Sequence, residues 1–91
     1  MSIEYDPAKR EQTLRERRLD MARANEIFGG DTLTVVGDRR DYGETRRITI
    51  GFLDGRMVVV AWTTRASSRR IISLRKANGR EQKKYGPRFG R

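Results

Sequence analysis

Neither cysteine nor histidine occurs in these 91 residues. The first absence excludes a disulfide framework and a thiolate metal site, and it is compatible with a reducing cytosol. The second removes the commonest general acid or base and the commonest metal ligand. Any catalysis must then run on carboxylates, tyrosine, lysine or arginine. No apolar run approaches membrane-spanning length, and the opening MSIEYDPAKR lacks the apolar core of a signal peptide. The expected location is the cytoplasm, with no membrane partner. Negative charge is almost missing from the last third: residues 65–91 carry ten Lys/Arg against Glu81 alone, whereas residues 1–64 balance eleven against eleven. The whole net charge of +9 therefore sits at one end.

That asymmetry points to a polyanionic partner: RNA, DNA, an acidic protein or an anionic surface. A basic tail that merely aids solubility is the plainer reading, but Ile71 and Ile72 embedded among the cations argue that this segment folds. The final helix offers only Leu74 and Tyr85 as apolar anchors, which argues against a membrane surface. The length supports one domain over 1–91 with a single small core, and residues 88–91 are expected to form a mobile tail. No internal repeat or low-complexity segment is present.

Along the chain, Ile3–Tyr5 reads as a short edge strand. Asp6-Pro7 reads as a helix start, with Asp6 as cap and Pro7 in the first turn. A charged surface helix over 8–18 follows, then a second helical stretch over 19–28, capped by Asp20 and stopped by Gly29-Gly30. From Asp31 the apolar period changes to two. Thr32–Val36 reads as a strand and Asp38–Glu44 as a charged loop with a turn glycine. Arg46–Leu53 and Arg56–Thr64 are strands joined by Asp54-Gly55, a strong two-residue hairpin signal. This turn predicts Leu53 opposite Arg56, Ile50 opposite Val59 and Arg47 opposite Trp62. Ile48, Ile50, Phe52, Met57, Val59 and Ala61 then share a face for the helices to cover. Arg69–Ser73 forms another strand, running into a basic helix over Leu74–Tyr85. The fold class is α+β: N-terminal helices, an antiparallel sheet and a C-terminal basic helix.

On that last helix Leu74, Ala77, Asn78, Glu81 and Tyr85 would share one face, with Lys76, Arg80 and Lys83 opposite. Glu81 is drawn toward the packed side, where a lone carboxylate needs a partner; Arg70 or Arg65 from the sheet is the expected one. The pair reads either as a plain lock between helix and sheet or as a device that orients an arginine for phosphate. Arg47 opposite Trp62 predicts a cation–π contact, and Trp62 reads either as packing or as a platform for an unpaired base. No metal or cofactor is expected, although Asp38, Asp41 and Glu44 form an acidic group. Chemistry remains available if RNA is the substrate, because its 2′-hydroxyl is the nucleophile. The protein then needs only alignment and guanidinium groups on the phosphorane, with Glu81 or Tyr85 to handle a proton. The same ingredients suit a non-catalytic RNA- or DNA-binding module equally well.

Tyr5-Asp6-Pro7-x-Lys9, Asp38-Arg39-x-Asp41-Tyr42-Gly43-Glu44-x-Arg46, Thr49-Ile50-Gly51, Asp54-Gly55-Arg56, Thr63-x-Arg65 and the long run Arg70-Ile71-Ile72-Ser73-x-Arg75-x-Ala77-x-x-x-Glu81-x-x-x-Tyr85 resemble the BrnT toxin family over nearly the whole chain. The resemblance implies a RelE-like fold and a ribonuclease toxin of a type II toxin–antitoxin module. It also implies a BrnA-like antitoxin and, through that complex, operator DNA as partners beside RNA. Carried over by position, Arg65, Arg70 and Arg75 would bind phosphate and transition state, with Glu81 and Tyr85 supporting or transferring protons. Lys9, Arg47, Trp62, Lys76 and Arg80 are candidate RNA-binding residues. The chain departs from the family's usual pattern late in the first helix. Many members carry Asn and then Lys-His-Gly there; here stand Thr13 and Glu16-Arg17-Arg18, so Arg17 offers charge where a histidine would offer a proton. A toxin relative acting only as a repressor partner is the other reading.

Overall fold

A computed structural model describes residues 2–41 and 44–90, with 38–41 described as backbone; Tyr42 and Gly43, part of the expected loop, lie outside the described residues. The architecture is α+β, with helices around one five-stranded sheet of order β1-β5-β4-β3-β2. Strand β1 (Ser2–Glu4) is the short edge strand, and it runs parallel to β5 (Ser68–Lys76), whereas every other pairing is antiparallel.

Helix α1 (Pro7–Arg17) begins where the sequence places it: the Asp6 carboxylate accepts from the Ala8 N–H at 2.9 Å, and Pro7 occupies a position that needs no donor. It stops because Arg18 turns left-handed, at φ 59°. The next stretch is a 3-10 turn, Met21–Arg23, feeding a short helix α2 (Ala24–Phe28) that ends at Gly29. Asp20 caps the turn through the Ala22 N–H and holds Arg10 by two hydrogen bonds of 2.8 and 2.9 Å. Those bonds hold its carboxyl down at about 2.

The expected charged loop at 38–44 is instead the end of a hairpin: β2 runs Leu33–Asp41 and β3 Glu44–Leu53. Strand β2 is at the sheet edge, where charged side chains need not be buried, so polarity alone does not end it. Between β3 and β4 (Arg56–Arg65) the register is the expected one, Leu53 opposite Arg56, Ile50 opposite Val59 and Arg47 opposite Trp62. Asp54 at φ 53° and Gly55 at φ 78° supply the left-handed pair such a turn requires.

The face covered by the N-terminal helices is the opposite of the expected one. Val58, Val60 and Trp62 of β4, with Leu53, Ile71 and Leu74, pack against Leu19, Met21, Ala24 and Ile27. Gly51 makes this possible, since a Cβ there would lie 2.7 Å from Ile27 Cγ2. The face with Ile48, Ile50, Met57 and Val59 forms a smaller cluster, covered by Ala77, Tyr85 and Phe89 of the C-terminal segment. Phe89, in a 3-10 turn over Gly86–Phe89, meets Phe52 edge-on at 5.0 Å.

The second correction concerns 74–78. Strand β5 pairs with β4 as far as Lys76 opposite Val58, and the Ala77 N–H still donates to the Met57 carbonyl at 2.9 Å. Helix α3 therefore starts only at Gly79 and ends at Tyr85. Leu74 is a strand residue, fully buried in the main core, and Lys76 also belongs to the strand. Gly79 follows the Asn78 cap in the first turn, so the interior-helix cost expected of a glycine does not arise.

Candidate active site

A β-bulge brings Arg70 and Arg75 of β5 onto one face. Residues five apart on a regular strand point to opposite sides, as Arg70 and Arg75 would. In β5 the register shifts opposite Ala61/Trp62: Arg75 stands opposite Val59 but Arg70 opposite Thr63, four residues on. Ile72 is the inserted residue. Arg70 and Arg75 consequently share the face of Val59 and Thr63, and Arg65, two further along β4, shares it too. Helix α3 and the turn after it cover the Ile50–Val59 half of this face, leaving the Arg65–Arg70 half open.

On that open half lies a cavity lined by Thr63, Arg65, Arg70 and Ile72, with Asp6 and Lys9 from the start of α1. Thr63, 2% exposed, is its floor. Arg65 Nε lies a loose 3.7 Å from a Glu44 carboxylate oxygen. Lys9 is placed by the sheet edge. Beyond β1, which pairs only with Ser68–Arg70, the outer carbonyls of β5 lack a strand partner. Helix α1 serves them instead: Lys9 Nζ donates to the Ile72 carbonyl at 3.4 Å and Arg17 Nη1 to the Leu74 carbonyl at 3.0 Å.

Arg75 stands further along the face and is held. Its Nη1 and Nη2 donate to the two Glu81 oxygens at 2.7 and 2.8 Å. Glu81's expected partner was Arg70 or Arg65; the later helix start gives it Arg75 instead, at the end of the strand beside the helix. The same carboxylate accepts from the Asn78 N–H at 2.9 Å, and the Asn78 side chain accepts from the Glu81 N–H at 2.8 Å, a reciprocal capping box. The Arg75 guanidinium, helped by that N–H, holds the Glu81 carboxyl at about 2. A carboxylate so acidic is a poor proton acceptor at neutral pH. Glu81 is engaged by Arg75 and by the start of α3.

The remaining candidates are dispersed. Tyr85 is half-buried against Ile50, Val59 and Ala77, with Lys84 Nζ 5.3 Å from its ring centre. Lys76 and Arg80 are exposed near the start of α3. Arg47 and Trp62 lie on the opposite face of the sheet. Arg47 stacks over Trp62 at 5.5 Å, as expected. The indole is 7% exposed, donates to Thr49 Oγ1 at 2.8 Å and meets Phe28 edge-on, an environment that matches packing and leaves no open ring face for a base. Sequence reasoning missed Asp6 and Thr63; the doublet Ile71-Ile72 inside an otherwise alternating strand was the one visible sign of the bulge.

The family described as ribonuclease toxin, BrnT, of type II toxin–antitoxin systems matches residues 5–81. The chain belongs to that family. Every residue lining the arginine cavity falls inside the matched span, as do Arg75 and Glu81, whereas Tyr85 falls outside it. Membership makes the protein a toxin with ribonuclease activity, and a type II module implies an antitoxin partner. No curated protein matches the chain. Among the described residues no helix is long and apolar enough to cross a membrane.

Proposed function

We propose that the protein is a metal-independent endoribonuclease whose reaction centre is the Arg65–Arg70–Lys9 cavity. The observation that carries this reading is the placement of two guanidinium groups and an ammonium around one concave site on the open half of the sheet. The RNA 2′-oxygen attacks the adjacent phosphorus, a new O–P bond forms, and the bond to the 5′-oxygen breaks. The products are a 2′,3′-cyclic phosphate and a free 5′-hydroxyl. Arg65 and Arg70 stabilise the charge that grows on the non-bridging oxygens, as paired guanidinium donors on one side of the phosphate. Lys9 stabilises the leaving 5′-oxygen, which takes its proton from water. The nucleophile's proton passes to water, because Glu81 is committed to Arg75. Arg75 binds a neighbouring phosphate of the same strand. Cleavage of cellular RNA halts translation and growth, a BrnA-like antitoxin neutralises the toxin, and their complex binds operator DNA in the cytoplasm.

Induction in a bacterium, followed by growth curves and RNA gels, tests the proposal. Wild type is expected to arrest growth and fragment RNA, and co-expression of the neighbouring open reading frame to relieve both. Purified protein should cut RNA equally well with and without a chelator. Chelator-sensitive cutting would contradict metal independence. Intact RNA, with salt-sensitive binding and no growth effect, would instead support a non-catalytic repressor partner.

A further inference from the structure

A second cavity adjoins the first, between α1 and the outer edge of β5. It has a volume of about 220 Å³, and Lys9 and Ile72 line both. We propose that it takes one nucleobase of the RNA strand whose phosphate lies against Arg65 and Arg70, and that this base is guanine. The inference rests on the ribonuclease reading and names what that site selects.

The size suits one flat ring system, since pockets for larger ligands begin at roughly 300 Å³. The inner wall is apolar: Met21 is 1% exposed, and Ile72 and the largely buried Thr13 adjoin it. Such a wall receives the face of a base. The rim is polar, from Gln12, Glu16 and Ser73. Gln12 and Glu16 are four apart, one turn of α1, and both are exposed. Among the described residues neither side chain makes a hydrogen bond or ion pair, so both are available to a ligand. Arg17 also lines the cavity, but its guanidinium is directed to the Leu74 carbonyl, and among the described residues it forms no ion pair with Glu16.

A carboxylate presents two acceptors side by side. Of the four RNA bases only guanine offers two adjacent donors on its pairing edge, N1–H and the N2 amine, followed by an acceptor, O6. Glu16 matches the two donors, and the Gln12 amide or Lys9 ammonium matches O6. Adenine and cytosine offer a single donor group, and uracil sets a carbonyl on either side of its one N–H, so each would press an acceptor against the Glu16 carboxylate. A site built for paired donors rejects bases that lack them because its own groups are then left unpaired.

The test uses short RNA tetranucleotides with 2′-O-methyl groups, which bind but cannot be cut, differing in one base. Fluorescence anisotropy should show guanosine preferred over adenosine, cytidine and uridine by roughly fivefold or more, as one bidentate pair gives. Inosine, which lacks the N2 amine, should fall between. Glu16→Gln and Glu16→Ala should flatten that preference, and in cleavage of a random-sequence RNA pool they should erase the enrichment of guanine beside the cut. Equal binding of all four bases, or a guanine preference that survives Glu16→Ala, would overturn the assignment. Cleavage without base preference leaves the ribonuclease reading standing and removes this one. Guanine-dependent binding that needs Glu16, in a protein that cuts nothing, does the reverse.

Discussion

Arg69 and Arg70 are neighbours in the chain and opposites in use. Arg69 points to the helix-covered face, where its guanidinium lies 4.0 Å from the Phe28 ring centre and 5.3 Å from that of Trp62. Among the described residues its buried Nε has no hydrogen-bond partner. Arg70 points to the open face and lines the cavity with Arg65 and Lys9. The two faces of one sheet thus treat the same residue type differently. On one side arginine packs against aromatic rings; on the other it lines an open cavity. Charge counts along the sequence cannot separate these uses, because alternation along a strand sends every second arginine to the other side.

The contrast can be broken, or sharpened, at several points. The largest stability effect is expected on the covered face, where Leu74→Ala should cost about 2–5 kcal/mol in urea unfolding, as for a fully buried leucine leaving a cavity. Gly51→Ala should cost about 1–3 kcal/mol, because the added methyl meets Ile27 at 2.7 Å and Thr32 at 3.2 Å. Arg18→Gly acts in the other direction. The left-handed φ of 59° favours glycine, so this change should raise stability by about 1 kcal/mol, read as a higher Tm.

The smallest effect is pH-dependent. Glu81 is held at about 2 against an ordinary 4.5, so the folded state binds its proton less readily than the unfolded chain. The stability this contributes is complete above pH 4.5 and is lost as pH falls toward 2. With Arg75 42% exposed on its side chain, solvent screening keeps the contribution to roughly 1 kcal/mol. Glu81→Gln should flatten the acid limb of the Tm-versus-pH curve in that window. The share from Asp20, likewise held at about 2, should remain.

The sequence shows the hairpin register because Asp54-Gly55 fixes it locally, and the start of α1 because Asp6-Pro7 does. The choice of covered face was not visible, since Ile48, Ile50 and Val59 on one side look as apolar as Val58, Val60 and Trp62 on the other. Gly51 was the clue: a mid-strand glycine marks the close approach of another element. The strand-to-helix boundary was misplaced because Ser73–Ala77 suits either state, and pairing to β4 decides it. The candidate site was legible as residue types and partly as positions. Arg65 and Arg70 share a cavity with Lys9, whereas Arg75 and Glu81 form a separate bonded unit, and no local signal distinguishes the two arrangements.

Side-by-side measurement of Arg69→Ala and Arg70→Ala tests the central claim most directly, with RNA cleavage rate and Tm read on the same preparations. Arg70→Ala should lose about 10²-fold or more in rate, as for one fixed donor to a developing oxyanion, with Tm unchanged. Arg69→Ala should lower Tm through lost stacking, about 1 kcal/mol, and leave the rate of the folded protein intact. Equal rate losses in both variants, or a rate loss at Arg69 alone, would contradict a reaction centre on the open face.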